Sequence, residues 1–432
     1  MAELAARAIL GRPRAVQLID PGNGSLTRAK THFLFLNVGH LLDHLFTLIF
    51  ATVAALVLTR EWGMSYAELI PYATPGFIAF GAFALPAGWI ADRWSRKGMI
   101  AVFFVGIGLA SIATGFARTP LEMGIGLFVI GVFAAIYHPV GLALVTEETK
   151  GMGLAIAQNG VWGNLGVGGA ALLTGLFIDH GGWRSAFVWP GVFSVMVGLA
   201  YLRQVWPDLV AEHGAAAVEA PAAAAALAAS PEQRALLIRL TLIIFFTTAV
   251  SSIIFQSTTF ALPKVFDERL KGIAGSATLI GWLAFLVFAV ASIAQVIVGS
   301  ALDRLGPRMV FMGMAALQAV FFLAMPGLTD WPALLVALAF MLGAFGQIPI
   351  NDYMIGKLAR SELRASIYGT RYLVSFGVLA AVLPMIAWVH QSWGFDALFR
   401  ILAGAAIVIL LAVSLLPARL PEVTPATAPA PA

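Results

Sequence analysis

Gly88-Trp-Ile-Ala-Asp92-Arg93-Trp-Ser-Arg96-Lys97 returns 211 residues later as Gly299-Ser-Ala-Leu-Asp303-Arg304-Leu-Gly-Pro-Arg308. Each copy lies between two long apolar segments, so a charged, turn-prone loop occupies the same place in two successive stretches of chain. A second landmark keeps nearly the same spacing: Gly182-Trp-Arg-Ser-Ala-Phe187 parallels Gly394-Phe-Asp-Ala-Leu-Phe399 at an offset of 212. Two separate landmarks at one spacing identify an internal duplication, and parallel duplicated halves are one of the architectures of helical membrane proteins.

Outward from these loops the chain is almost uniformly apolar. Sixty per cent of the 432 residues are hydrophobic and 11% are charged, against about a quarter charged in soluble domains. Runs such as Trp282 to Val298, broken only by Ser292 and Gln295, suit a bilayer. There a helix of about 20 apolar residues spans the hydrocarbon with every backbone group paired internally. Such segments fall at 31–58, 66–91, 98–117, 121–145, 152–178 and 185–203, and again at 237–263, 276–302, 309–327, 332–356, 364–389 and 396–416. The expected fold is an all-α membrane protein of twelve transmembrane helices in two six-helix pseudo-symmetric bundles, residues 31–203 and 237–416. Residues 1–30 carry five basic residues and no compact apolar core with a small-residue cleavage site, so they read as a cytoplasmic lead. The Ala-rich stretch 204–236 reads as a cytoplasmic linker and the Pro/Ala-rich 417–432 as a disordered cytoplasmic tail.

Charge distribution sets the orientation. With the N-terminus in the cytoplasm, that side receives eighteen of the Lys and Arg residues and the opposite side six. The positive-inside rule then places both termini in the cytoplasm, with a bacterial inner membrane as the expected location. The net charge of +4 comes from basic residues spread through loops, which implies no nucleic-acid partner. Without cysteine there is neither a disulfide nor a thiolate metal site. No P-loop, zinc-hydrolase motif or nucleophile elbow occurs, so ATP hydrolysis and covalent catalysis have no support, and no enzyme activity or cofactor is expected.

The repeated Gly-x-x-x-Asp-Arg-x-Gly/Ser-x-Lys/Arg loop resembles the signature loop of the major facilitator superfamily. That resemblance implies the twelve-helix major facilitator fold, monomeric secondary transport by alternating access, and a gating role for Asp92, Arg93, Arg96, Lys97, Asp303, Arg304 and Arg308. In the family these groups clamp helix ends across the cytoplasmic face. Ser95 stands where the usual Gly would be. Gly39-His40-Leu-Leu-Asp43, Tyr137-His138-Pro139 and Gln158-Asn-Gly-Val-Trp-Gly-Asn164 are also similar to the fosmidomycin-resistance branch of exporters. Span five has Gly163, Gly166, Gly168 and Gly169 without the Pro of the antiporter signature, which leaves import of an organic acid as the alternative to proton-coupled efflux of a drug-like or anionic compound, with transition-metal transport and a non-transporting membrane sensor as further readings behind these.

Ionisable residues inside spans carry the chemistry. His40, Asp43 and His44 stand at i, i+3 and i+4 on one face, and Asn37 extends the stripe by a turn. A mid-helix Asp costs about 2.5–3.5 kcal/mol on insertion scales, so it faces a bundle interior or an aqueous cavity. Burial favours a neutral carboxyl group and an adjacent imidazolium favours a carboxylate, so an Asp/His pair can load and release protons. Asp43 with His40 or His44 is therefore the expected proton-coupling group. A purely structural hydrogen-bonding role is the alternative. His40 and His44 also have the spacing of a metal-ligand pair, but with no Cys and few Met beside them no resident metal is expected. The expected substrate cavity comprises His138, Asn159, Arg371, Asp352, Tyr137, Trp162, Gln256 and Tyr372, with Gln347 and Tyr353 as further liners. The 212 offset takes His138 to Ile350 and Asn159 to Arg371. Asp352 and Arg371 would then meet from adjacent antiparallel spans, either locking two helices or freeing Arg371 for an anionic solute.

Overall fold

The computed structural model describes residues 28–147, 152–212, 231–358 and 364–417. The expectations for 1–27, most of the linker (213–230), Lys150 and the tail from 418 lie outside the described residues. Within them, the first half contains α1 (Arg28–Glu61), α2 (Tyr66–Arg93), α3 (Arg96–Thr114), α4 (Pro120–Val145), α5 (Met152–Gly181) and α6 (Trp183–Glu212). The second contains α7 (Pro231–Arg269), α8 (Ala277–Leu305), α9 (Pro307–Ala324) and α10 (Asp330–Ile355). It ends with a continuous stretch, Arg364–Ser414, that changes direction at Gly394 (φ 73°, ψ −176°) and so makes α11 (364–393) and α12 (395–414). The helices extend past the expected spans: α6 continues to Glu212 and α7 begins at Pro231.

The duplication is written in the turns. Gly182, which opens α6, and Gly394, which opens α12, both take positive φ (76° and 73°), where an L side chain is strained by about 1–3 kcal/mol. Ser95 and Gly306 both cap the helix after the signature loop by different means. Ser95 is extended and its hydroxyl accepts the Gly98 N–H, whereas Gly306 uses φ 78°. The missing Gly thus leaves the turn intact, because a serine hydroxyl satisfies an orphan helix donor.

Packing repeats as well. In the first half α3 lies on α6, α1 on α5 and α2 on α4, and the equivalent pairs in the second are α9 on α12, α7 on α11 and α8 on α10. The halves meet through α5 on α8 and α2 on α11, with Phe77 of α2 also against Phe260 of α7. Large apolar side chains cover the outside, with Val296 70% and Ile297 64% exposed, while Asp43, Asn37, Asn159, Gln318 and Gln347 are buried. This inside-out distribution is that of a multi-pass membrane protein whose polar groups face the bundle interior.

Candidate functional site

The site begins with a break in α4. Pro139 has no N–H, so the i→i−4 bond to Ala135 cannot form, and the helix opens into a turn at residues 135–136. Ile136 N–H bonds Phe133 O (3.1 Å) before the helix resumes at Tyr137. The break presents Tyr137 and His138 side by side to α1. His138 Nε2 lies 3.3 Å from Asp43 Oδ2, and the Asp43 side chain is fully buried while His138 is 14% accessible. Tyr137 Oη donates to Leu36 O (2.6 Å) and accepts from Asn159 Nδ2 (2.9 Å), which also donates to Asn37 Oδ1 (3.0 Å).

The Asn159 carbonyl binds His40 Nδ1 at 2.8 Å. A carbonyl only accepts, so Nδ1 carries the hydrogen and Nε2 keeps its lone pair. Ring centroids of His40, His44 and His138 are 5.0, 5.3 and 5.5 Å apart. Gly163 of α5 makes room for this arrangement, since a Cβ there would stand 2.6 Å from His40 Nε2. Helices α1, α4 and α5 therefore converge on one polar cluster that unites Asn37, His40, Asp43, His44, Tyr137, His138 and Asn159. Asp43 pairs with His138, not with His40 or His44. Residues three and four apart share a helix face, but the short Asp side chain reaches across to α4, and His40 is held by α5.

The second half holds different chemistry. Asp352 of α10 is ion-paired with Arg371 of α11, and the Asp352 side chain is the more accessible of the two, at 38% against 11%. Gln347, at the break before Pro349, donates to Gln318 Oε1 of α9 at 2.7 Å. The two proline breaks are 210 residues apart, so the position equivalent to His138 is Ile348 and not Ile350. Trp162 and Gln256 are half-buried on α5 and α7, Tyr353 stacks near Lys357 Nζ (5.6 Å), and the Tyr372 side chain lies outside the described residues.

At the signature-loop end, Arg96 Nη2 pairs with Asp92 at 2.7 Å, and Arg93 lies 4.1 Å over the Trp89 ring. Lys97 Nζ and Arg28 Nη2 both reach Asp208, at 2.8 and 2.6 Å. These links tie the first loop to α1 and α6 of its own half, whereas the resemblance implies clamps across the face. Asp303 and Arg304 are exposed and Arg308 is half-buried. Asp208 escaped the sequence reading because it falls in the stretch taken as linker; its position one residue after Pro207 in an otherwise apolar helix end was the available signal.

At the opposite end the halves touch. Thr278 N–H at the start of α8 donates to Asp179 of α5 (2.7 Å), and the Tyr66 ring of α2 lies 5.5 Å from that of His390 on α11. A cleft of about 770 Å³ opens there, lined by Arg60, Glu61, Asp179, Asp267 and Lys271 among others.

The family model described as Major Facilitator Superfamily matches residues 36–273 and 244–432. The gallate transporter of Pseudomonas putida is 31% identical over 169 residues, 38% of this chain and 36% of that protein. Puromycin resistance protein pur8 of Streptomyces alboniger is 35% identical over 128 residues, 29% of this chain and 25% of that protein. The match thus spans little more than a third of the first of these curated relatives and a quarter of the second. Among solved structures, a bacterial homolog of the human lysosomal transporter Spinster, in an inward-facing and unoccupied conformation, superposes with TM-score 0.66 at 13% identity, covering 91% of this chain and 96% of that one. The likeness is one of fold, and the comparisons carry the superfamily without resolving a branch such as fosmidomycin resistance. With a model of the family matched along nearly the whole described sequence, a duplicated six-helix plan and polar groups gathered inside an apolar shell, the chain belongs to the Major Facilitator Superfamily.

Proposed function

We propose that this protein is a monomeric secondary transporter that takes up a small organic acid together with protons by alternating access. The observation that carries the reading is the fully buried Asp43, 3.3 Å from His138 inside the first bundle. A carboxyl group in that position is costly unless it is neutralised or paired, so its charge state is coupled to whatever changes its access to water. Arg371, in the second bundle, can exchange Asp352 for a substrate carboxylate by the same charge-assisted hydrogen bonding. Contacts between the halves at the Asp179–Thr278 end, with the charged signature loops at the other, suit a carrier that rocks about its centre. The basic loops support a cytoplasmic signature-loop end.

The gallate-transporter likeness supports an aromatic or other small carboxylic acid as substrate. Efflux of a drug-like compound is the second reading, supported by the likeness to the puromycin resistance protein. Proteoliposomes with an imposed inward acid gradient separate these readings. Radiolabelled gallate should accumulate in the wild type, and Asp43→Asn should lose gradient-driven accumulation while keeping solute exchange. Undiminished driven accumulation in Asp43→Asn would remove Asp43 from coupling, and proton-driven expulsion of puromycin with no acid uptake would favour efflux.

A further inference from the structure

The polar cluster of the first bundle has a second capacity. His40 and His44 stand one turn apart on α1, and His138 arrives from the break in α4. One nitrogen from each lies within 4.8 Å of the others. Zinc bound by imidazoles needs metal–nitrogen distances of about 2.0–2.1 Å, so side-chain rotations closing these gaps by an ångström or so bring all three onto one ion. None of the three residues is fully buried, and the His138 side chain is 14% accessible.

The surroundings are those of a ligand set. In metal sites a coordinating histidine hands its other ring nitrogen to a carbonyl or a carboxylate, which fixes the tautomer and aims the free lone pair. Two of the three imidazoles have that partner: His40 Nδ1 is held by the Asn159 carbonyl at 2.8 Å, and His138 Nε2 faces Asp43 at 3.3 Å. The Asp43 carboxyl group, fully buried beside His138, is thus placed as an outer partner of the set. Neutral imidazoles without thiolates select borderline divalent ions, of which Zn²⁺ and Co²⁺ are representatives.

We infer that His40, His44 and His138 form a three-histidine site for a divalent transition-metal ion of the zinc class, with a fourth coordination position left open. The site joins α1 to α4 within one half, so an ion there leaves the contact between halves untouched and fills the accessible face of the coupling cluster. The inference rests on the placement of the three rings and not on the transport reading.

The test uses the purified full chain, freed of metal by chelator. Zn²⁺ should raise the melting temperature, since a ligand of the native state stabilises it by mass action. Co²⁺ should give the visible absorption of a tetrahedral nitrogen-ligated ion. His44→Ala and His138→Ala, each first shown to melt cooperatively without metal, should lose both signals, whereas His180→Ala and His390→Ala should keep them. Asp43→Asn should retain the Co²⁺ spectrum with affinity lowered about 10–100-fold, the usual effect of removing an outer partner. No Zn²⁺ shift and no Co²⁺ absorption in the wild type would overturn the site, as would signals that persist in both His44→Ala and His138→Ala. Gradient-driven gallate uptake measured with chelator present reports on transport alone, so failure of one reading is distinguishable from failure of the other.

Discussion

The two bundles share a backbone plan and differ in what they place inside it. In the first, α1, α4 and α5 enclose three imidazoles, a buried carboxyl group, a phenol and two amides. In the second, α10 and α11 hold a guanidinium against a carboxylate, and α9 meets α10 through an amide pair. The turns have stayed alike while the interior has diverged. Gly182 matches Gly394, Ser95 matches Gly306 and Pro139 matches Pro349. Backbone geometry constrains a turn in both copies, whereas an interior side chain is free to specialise once each half contributes one wall of a common site. On the proposed reading this is a division of labour: proton chemistry in the first bundle and anion recognition in the second.

That contrast can be broken by exchanging the roles. The largest expected effect is in the second bundle. Arg371→Gln removes a charge-assisted bond worth about 1.5–3 kcal/mol, so acid binding should weaken about 10–150-fold while bound substrate still responds to the pH gradient. Equilibrium binding of radiolabelled gallate checks the first part and gradient-driven uptake at saturating gallate the second. Unchanged binding with a lower melting temperature would make the Asp352 pair a helix lock instead.

The smaller effect sharpens the shared half of the comparison. Gly182→Ala and Gly394→Ala should each destabilise by about 1–3 kcal/mol, because both positions require positive φ. Thermal melts of the two variants should agree. A clear difference would mean that one of the two turns relaxes and that the duplication is less faithful than its dihedral angles imply.

The fold was legible because lipid demands long apolar helices and because charged loops repeat at a fixed interval. The helix pairings were not, and the candidate site shows the cost. Periodicity placed His40, Asp43 and His44 on one face of α1, yet could not say that a break at Pro139 would bring His138 to Asp43, nor that Asn159 would take His40. Those are contacts between helices, set by packing and by the room that Gly163 leaves. Asp208 was lost for a related reason. Its partners Lys97 and Arg28 are 111 and 180 residues away, and a charge beside an Ala-rich stretch looks solvated until α6 is seen to continue through it.

The measurement that bears most directly on the division of labour is proton exchange on substrate binding. In weakly buffered solution at neutral pH a carboxylic acid arrives as the anion, so protons taken up from solution on binding go onto the protein's own titrating groups. A pH-indicator dye should record proton uptake when gallate binds the wild-type protein, and Asp43→Asn should bind gallate with that uptake lost. Equal uptake by the two proteins would contradict the assignment of the first bundle as the proton-carrying half.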